Sequence, residues 1–206
     1  MTLAAFIGIA LIHLIAAISP GPSFVVSVKT AASEGLRPAI GLAIGFGLGA
    51  VIWALAALLG LAVLFEVAPF LLTGLKVVGG AFLIFIAYYI YSHAREPLLD
   101  TSADTDALPR KWISAVRLGL TTQLANPKPA VFFGAVFVGL VPPGTDATIL
   151  AALLAVIFVQ ETGWYVLVAR VFSLSQARRA YGRVKTKVDR TFGGLIALFG
   201  AKIALT

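Results

Sequence analysis

The sequence predicts an all-α integral membrane protein, and three observations support this fold class. First, 60% of the 206 residues are hydrophobic and only 12% are charged, whereas an average soluble domain has about 45–50% apolar and about 25% charged residues. Second, the apolar residues fall into six stretches, most of them near the ~20 residues that cross a bilayer as a helix. Third, the two halves of the chain share sequence features. Together they predict six transmembrane helices as a 3+3 inverted-topology repeat, with broken first and fourth helices.

The six predicted spans belong to one transmembrane domain, 1–206. They are 3–18, 39–64, 75–91, 115–141, 149–170 and 192–205. The first lacks the positively charged start and small-residue cleavage site of a signal peptide, so we expect a mature helix. The last is short for a bilayer crossing. Segment 93–112 contains Pro, Ser, Thr and Asp, which is typical of a linker. We expect it to be cytoplasmic and to join the first half, 1–92, to the second half, 113–206.

The basic residues predict the orientation of the chain. Nearly all of them lie in the connections after spans one, three and five: Lys29 and Arg37; Arg95, Arg110, Lys111 and Arg117; and Arg170, Arg178, Arg179, Arg183, Lys185, Lys187 and Arg190. Cytoplasmic loops of membrane proteins are enriched in Lys and Arg. We therefore expect both termini outside the cytoplasm. The same rule accounts for the net charge of +7. We therefore expect the lipid bilayer as the partner of the chain, and no nucleic acid.

Two pairs of motifs indicate an internal repeat. "KVVGGAFLIFIAYYIY" from Lys76 matches "RTFGGLIALFGAKIAL" from Arg190, and "SPGPSF" from Ser19 matches "NPKPAV" from Asn126. The paired glycines, which we assign to helix packing, are Gly79, Gly80, Gly193 and Gly194. Each half has three predicted spans, an odd number, so the second half must enter the membrane upside down relative to the first.

The Pro-x-Pro motifs predict a break in spans one and four. Proline removes a backbone N–H, and within hydrocarbon such irregular backbone persists only against protein or water. Interrupted helices at matching places in two inverted halves are typical of the central site of a transporter. The residues assigned to this transport site are Ser19, Pro20, Gly21, Pro22 and Ser23 in the first half, and Gln123, Asn126, Pro127 and Lys128 in the second. A pair of kinks that only shape the bundle is the structural alternative.

The stretches "SPGPSFVVSVKTAASEGLRPAIGLAIGFGLG" and "RLGLTTQLANPKPAVFFGAVF" resemble the LysE/RhtB family of bacterial amino-acid exporters. The resemblance implies a six-span secondary-active exporter of amino acids or related metabolites in the bacterial inner (plasma) membrane, driven by the proton gradient. Many members carry an acid directly after the PGP motif and another in span two. This chain has Ser23 and Ala50 at those places. A small-molecule substrate that is a neutral rather than a basic amino acid is therefore favoured.

Lys128, Glu161 and His13 lie well inside predicted spans. An unpaired Lys128 within a span costs at least about 2.5–3.5 kcal/mol, and Glu161 is the acidic residue deep inside an apolar stretch. We expect Lys128 and Glu161 to pair with each other or with the charges of the cargo; alternatively Lys128 snorkels to the surface and Glu161 is a protonated structural group. Glu161 is also a candidate proton carrier, and so is His13, although a single intramembrane histidine is more often simply hydrogen-bonded.

Gly41, Gly45 and Gly49 form a small-residue face that lets helices approach closely. Such a face serves within one chain or between copies, so a homo-oligomer is compatible with the sequence.

The sequence argues against an enzyme. It has no Cys, two His and no metalloprotease, serine-hydrolase or nucleotide-binding motif, so we expect no cofactor, no metal site and no ATP-driven step. An exporter of an inorganic metal cation is the alternative function, but it would need clustered ligands. A non-transporting scaffold would need neither twin broken helices nor a buried Lys.

Overall fold

The computed structural model describes residues 1–61, 70–96, 110–137, 140–142 and 144–205. Within these ranges the chain forms helices and turns, without a strand, which confirms the all-helical class. Two helical segments, Leu36–Leu59 and Ala147–Phe172, are long and apolar enough to cross a bilayer, and a bent helix pair at the N-terminus makes a third candidate. The chain is thus a multi-pass membrane protein, and the count of six spans stays a prediction.

The first predicted span is a bent pair of helices. Helix α1, Leu3–Ile18, begins at Thr2, whose side chain accepts a hydrogen bond from the Ala5 N–H. Helix α2, Pro22–Ser33, starts with a proline at a position where no intrahelical N–H is needed. The two axes differ by 58°. The PGP motif therefore bends the chain at the place predicted from the sequence.

Helix α3, Leu36–Ala56, follows Gly35, whose φ of 90° favours glycine. It continues as a π-helical turn, Ala57–Leu61. Helix α4 is Phe70–Ser92 and helix α5 is Trp112–Ala125. Residues 97–109 of the predicted linker 93–112 lie outside the described residues. So does Glu66, in the connection between α3 and α4.

The fourth predicted span is also broken. Helix α5 ends at Ala125, and after Asn126 the short helix α6, Pro127–Val131, leads into a π-helical turn, Phe132–Phe137. Helix α7 is Ala147–Phe172. Helix α3 packs against both α5 and α7, and α4 packs along the last helix, α8.

Helix α8, Ser175–Leu205, begins well before the predicted sixth span, 192–205. The expectation that residues before 192 form only a basic connection was incomplete. Residues 175–191 are polar, but they present one face that packs: Tyr181 contacts Phe24 and Phe172, and Asp189 is buried and binds Lys185. An amphipathic face of this kind stabilises a helix outside the apolar segment.

The buried residues form two apolar clusters on either side of a polar layer. One cluster includes Phe24, Phe46 and Tyr165, and the other includes Ile9, Phe133 and Ile157. On the opposite side of α1, the four aliphatic residues Leu3, Ile7, Leu11 and Ile15 recur every fourth position and are exposed. An exposed aliphatic stripe fits contact with lipid. The polar layer between the clusters contains both helix breaks.

Candidate functional site

The break after α1 is filled by a side chain from the second half of the chain. Pro20 has no N–H to donate to the carbonyl of Ala16, four residues earlier. The Lys128 Nζ atom donates instead to Ala16 O at 3.0 Å, to Ser19 O at 2.8 Å and to Ser19 Oγ at 3.2 Å. The Lys128 side chain is buried, and its ammonium group satisfies carbonyls that the first break leaves without a helical partner.

The break before α6 follows the same rule. Asn126 caps α6, since its Oδ1 accepts from the Lys128 N–H at 3.1 Å. Pro127 cannot donate to the carbonyl of Gln123, four residues earlier. The indole Nε1 of Trp53 donates to that carbonyl at 3.3 Å, as does the Asn126 N–H. Both breaks are thus closed by protein donors, which is the condition for irregular backbone inside a membrane.

A continuous chain of hydrogen bonds joins the two breaks to Glu161 on α7. Asn126 Nδ2 donates to Ser23 Oγ at 2.8 Å, and Ser23 Oγ donates to Gln123 Oε1 at 2.7 Å. Gln123 Nε2 then donates to Glu161 Oε1 at 2.7 Å. Ser23, Gln123, Asn126 and Glu161 are all at most 4% exposed. A buried network with satisfied partners holds its members in one geometry.

The other oxygen of Glu161 faces His13 on α1. The distance from His13 Nε2 to Glu161 Oε2 is 3.6 Å, and His13 Nδ1 lies 2.9 Å from Gln160 Oε1. The imidazole ring is 2% exposed and lies 5.7 Å from the rings of Phe132 and Phe133. The intramembrane histidine is therefore not isolated: it contacts the intramembrane acid.

Lys128 and Glu161 both belong to the described part of the chain. They line the same small cavity but do not form a direct ion pair. Each has other partners: Lys128 binds the carbonyls of the first break, and Glu161 binds Gln123. The cavity is also lined by His13, Gln123, Ala16, Ala17, Pro129, Phe132 and Phe133. The centre of a water molecule can occupy about 20 Å³ of this cavity. That volume holds about one water. Of the two pairings expected from the sequence, the direct one between Lys128 and Glu161 is not formed, and pairing of each residue with the cargo stays a prediction.

The remaining residues of the predicted site lie at the two breaks. Pro20 is buried, Pro22 is the first residue of α2 and Pro127 the first of α6. Gly21 lies against Lys128, because a Cβ at this position would be 3.6 Å from Nζ. The structure thus brings the PGP motif of the first half into contact with the NPK motif of the second.

The glycines assigned to packing lie at two different helix contacts. A Cβ on Gly45 would overlap the Val116 carbonyl oxygen, and Gly41 and Gly49 also lie against α5. This face is used within the chain. On α8, Gly193 approaches the Ala87 carbonyl of α4, whereas Gly194 meets open space. Gly79 and Gly80 belong to α4, and Gly80 is buried.

Trp53 and Gln160 take part in the site, and they were not assigned to it from the sequence. The sequence does predict that a donor such as Trp53 is needed. Pro127 leaves the Gln123 carbonyl without its helical partner, and a buried carbonyl needs another hydrogen-bond donor. No sequence signal identified which donor. Among the described residues, no group of three or more His, Cys, Asp or Glu could hold a metal ion, so nothing in the site favours a metal cation as cargo.

Comparisons with known proteins identify relatives of the chain. Residues 14–206 match the family model described as LysE type translocator. The chain is 33% identical to the threonine efflux protein of Escherichia coli K12 over 98% of both chains, and 32% identical to that of Salmonella typhi, again over 98% of both. An uncharacterized membrane protein of Haemophilus influenzae is 27% identical over 92% of this chain and 91% of its own length. No solved structure matches. The chain belongs to the LysE type translocator family, a family of membrane transporters, as its resemblance to the amino-acid exporters predicted.

Proposed function

We propose that the chain is a secondary-active exporter of a small neutral amino acid of the threonine type across the bacterial inner membrane. One observation carries this proposal: a buried ammonium group and a buried carboxylate face one cavity between two broken helices. A zwitterionic amino acid has the complementary charges at complementary ends. Its carboxylate would meet Lys128, and its ammonium would meet Glu161. The relatives named threonine efflux proteins supply the side-chain class.

The charge balance of the cavity supports a neutral cargo. Its described lining holds one lysine and one carboxylate, so a zwitterion leaves no charge unpaired. A lysine or arginine would bring a second positive charge, and burying an unpaired charge is costly. Ser23, in place of an acid, is occupied by Asn126 and Gln123. The site therefore offers no second anion for a basic cargo.

The arrangement of the chain supports an inverted 3+3 repeat, and the basic residues of the connections support both termini outside the cytoplasm. The two breaks occur at corresponding places in the halves, and each is completed by a residue of the other half or of α3. Apolar clusters lie on both sides of the polar layer. Because the cavity holds only about one water, cargo binding requires the broken helices to move apart, and separation on alternate sides gives export.

The proton gradient is the proposed energy source. The sequence has no nucleotide-binding motif, and an intramembrane acid is the group that proton-coupled transporters use. Glu161 is such an acid, and His13 contacts it. Inward proton movement would then drive outward movement of the amino acid.

Purified protein in proteoliposomes tests the proposal. We expect preloaded radiolabelled threonine to leave the vesicles faster when a proton gradient directed into the vesicles is imposed. Lysine and aspartate should leave at the rate seen with protein-free vesicles. Glu161→Gln should abolish threonine efflux, because the amide carries neither the charge nor the proton. Glu34→Gln, at a carboxylate that binds Arg110 far from the cavity lining, is the matched control. Efflux of lysine but not threonine would overturn the proposed cargo.

A further inference from the structure

The hydrogen-bond chain at the two breaks has a fixed direction. Asn126 Oδ1 is held by a backbone N–H, so its Nδ2 must be the atom that donates to Ser23. Ser23 Oγ accepts that bond and donates its own hydrogen to Gln123 Oε1. Gln123 is thereby oriented with Nε2 toward Glu161. Oxygen Oε1 of Glu161 is an acceptor in this chain, and a proton on this carboxyl group belongs on Oε2.

The tautomer of His13 follows from its own partners in the same way. Gln160 Oε1 can only accept, so the His13 Nδ1 atom, 2.9 Å away, carries a hydrogen. In a neutral imidazole the Nε2 atom then has a lone pair. That lone pair faces Oε2 of Glu161 across 3.6 Å. Without a proton between them, two acceptors face each other in a buried site.

We propose that His13 Nε2 and Glu161 Oε2 together form a binding site for one proton, the coupling proton of export; this inference rests on the proposed function. One proton satisfies both atoms, as imidazolium with carboxylate or as imidazole with carboxylic acid, and a charge-assisted bond would shorten the distance to about 2.7–2.9 Å. A second proton would place two hydrogens between the same two atoms. The geometry favours single occupancy.

The surroundings support a proton rather than a larger ion. Lys128, from α6, lines the same cavity, and Tyr165 is buried on α7 one turn beyond Glu161. The Lys128 charge opposes any further cation. Phe132 and Phe133 cover the imidazole, and the adjoining cavity holds about one water, which provides a path for a proton and too little room for a metal ion with its water shell.

Antiport follows from competition for Glu161. The cargo ammonium and the proton both neutralise the same carboxylate, so they cannot be bound together. Binding of one requires release of the other, which is the condition for exchange of a proton against an amino acid. The change in charge on Glu161 is also passed through Gln123 and Ser23 to Asn126, so both helix breaks respond to it.

The two histidines of the chain allow a matched test. In proteoliposomes we expect the ratio of threonine efflux with an imposed proton gradient to efflux without one to fall to about one in His13→Gln, whatever its basal rate, because the glutamine amide cannot take up the coupling proton. His93→Gln, at the exposed end of α4, should behave as wild type. Gln160→Leu frees the ring to place its hydrogen on Nε2, so we expect the same ratio to fall only partly in this variant.

A second measurement does not depend on transport. With histidine labelled by ¹⁵N, the His93→Gln protein in lipid nanodiscs gives the ring signals of His13 alone. We expect the neutral ring to carry its hydrogen on Nδ1, and Gln160→Leu to change this tautomer. A neutral ring with its hydrogen on Nε2, or full gradient acceleration in His13→Gln, overturns the proposal. If wild type transports no threonine at all, the proposed cargo fails, and the tautomer still decides whether the proton site exists.

Discussion

At the residue scale, Asn126 combines a helix cap with a link in the buried hydrogen-bond network, and variants separate the two roles. Asn126→Ala removes the acceptor for the Lys128 N–H and the donor to Ser23. We expect the free energy of unfolding to fall by about 0.5–2 kcal/mol, as for other lost helix caps, and threonine efflux to be lost because Gln123 is no longer oriented. Thermal unfolding in detergent and vesicle efflux measure the two effects.

Asp146 provides the control, because it caps α7 at the Thr148 N–H, at 2.7 Å, and is exposed. The hydrogen bonds from Thr148 lower the pKa of Asp146, so this cap is charged at neutral pH and is lost only as the pH falls through the lowered pKa. Asp146→Ala should lower the unfolding temperature and leave efflux intact. Equal loss of efflux in both variants would show that capping alone explains the effect of Asn126→Ala.

The sequence predicts which carbonyls lose their helical partner, but not which side chains replace it. Pro20 and Pro127 identify the carbonyls of Ala16 and Gln123 by the spacing of four residues. Ser19 Oγ and the Asn126 N–H are local donors to these carbonyls, whereas the donors Lys128 and Trp53 come from other helices. A helix that is apolar on all sides shows no preferred rotation in its sequence, so the contact between His13 and Glu161 could not be predicted.

At the scale of elements, the contact between α3 and α5 depends on glycine. A Cβ on Gly45 would overlap the Val116 carbonyl oxygen and would lie 2.6 Å from Leu120 N and 2.8 Å from Gly119 Cα. These are backbone atoms, so the helices must separate. We expect Gly45→Ala to lower stability by about 1–3 kcal/mol, measured as the loss of the folded fraction on heating in detergent.

Gly163 on α7 is the matched control, since a Cβ there meets nothing within 4 Å. Gly163→Ala should leave stability unchanged or raise it slightly, because alanine has the higher helix propensity. If both variants lose the same stability, close packing at Gly45 is not the cause. The small-residue spacing on α3 predicts such a contact, but not that α5, rather than a second copy of the chain, supplies the partner.

Helix boundaries were predictable where the sequence changes abruptly. Helix α1 ends at Ile18, and only its C-cap Ser19 separates it from the PGP motif, as the proline rule requires. Helix α8 was predicted too short because hydropathy identifies only its apolar end, 192–205. Its polar start is held by tertiary contacts: Lys185 Nζ and Thr186 Oγ1 donate to carbonyls at the end of α4. Partners so distant in the sequence cannot be recognised from composition.

At the scale of the whole molecule, the polar layer lies between two apolar clusters. Along α7, Glu161 lies between Ile157 of one cluster and Tyr165 of the other. Along α1 and α2, His13 and Ser23 lie between Ile9 and Phe24. Alternate opening of the two clusters would expose the same site to opposite sides of the membrane, provided that the halves are inverted.

The orientation of the chain can be tested directly, because the sequence has no cysteine and a single introduced thiol is then the only label site. Ser33, at the end of α2, and Gln176, at the start of α8, are exposed next to basic connections, whereas Ala147 is exposed at the start of α7. Because Lys and Arg stay in the cytoplasm, we expect a membrane-impermeant maleimide to label Ala147→Cys in intact cells. Ser33→Cys and Gln176→Cys should react only after permeabilisation.

Labelling of Ser33→Cys and Gln176→Cys on opposite sides of the membrane would contradict the inverted 3+3 arrangement, since these positions precede the second span and the sixth. Labelling of Ser33→Cys and Gln176→Cys in intact cells, with Ala147→Cys protected, would keep the repeat but reverse its orientation in the membrane. The face of the site that we assign to the cytoplasm would then be the outer face.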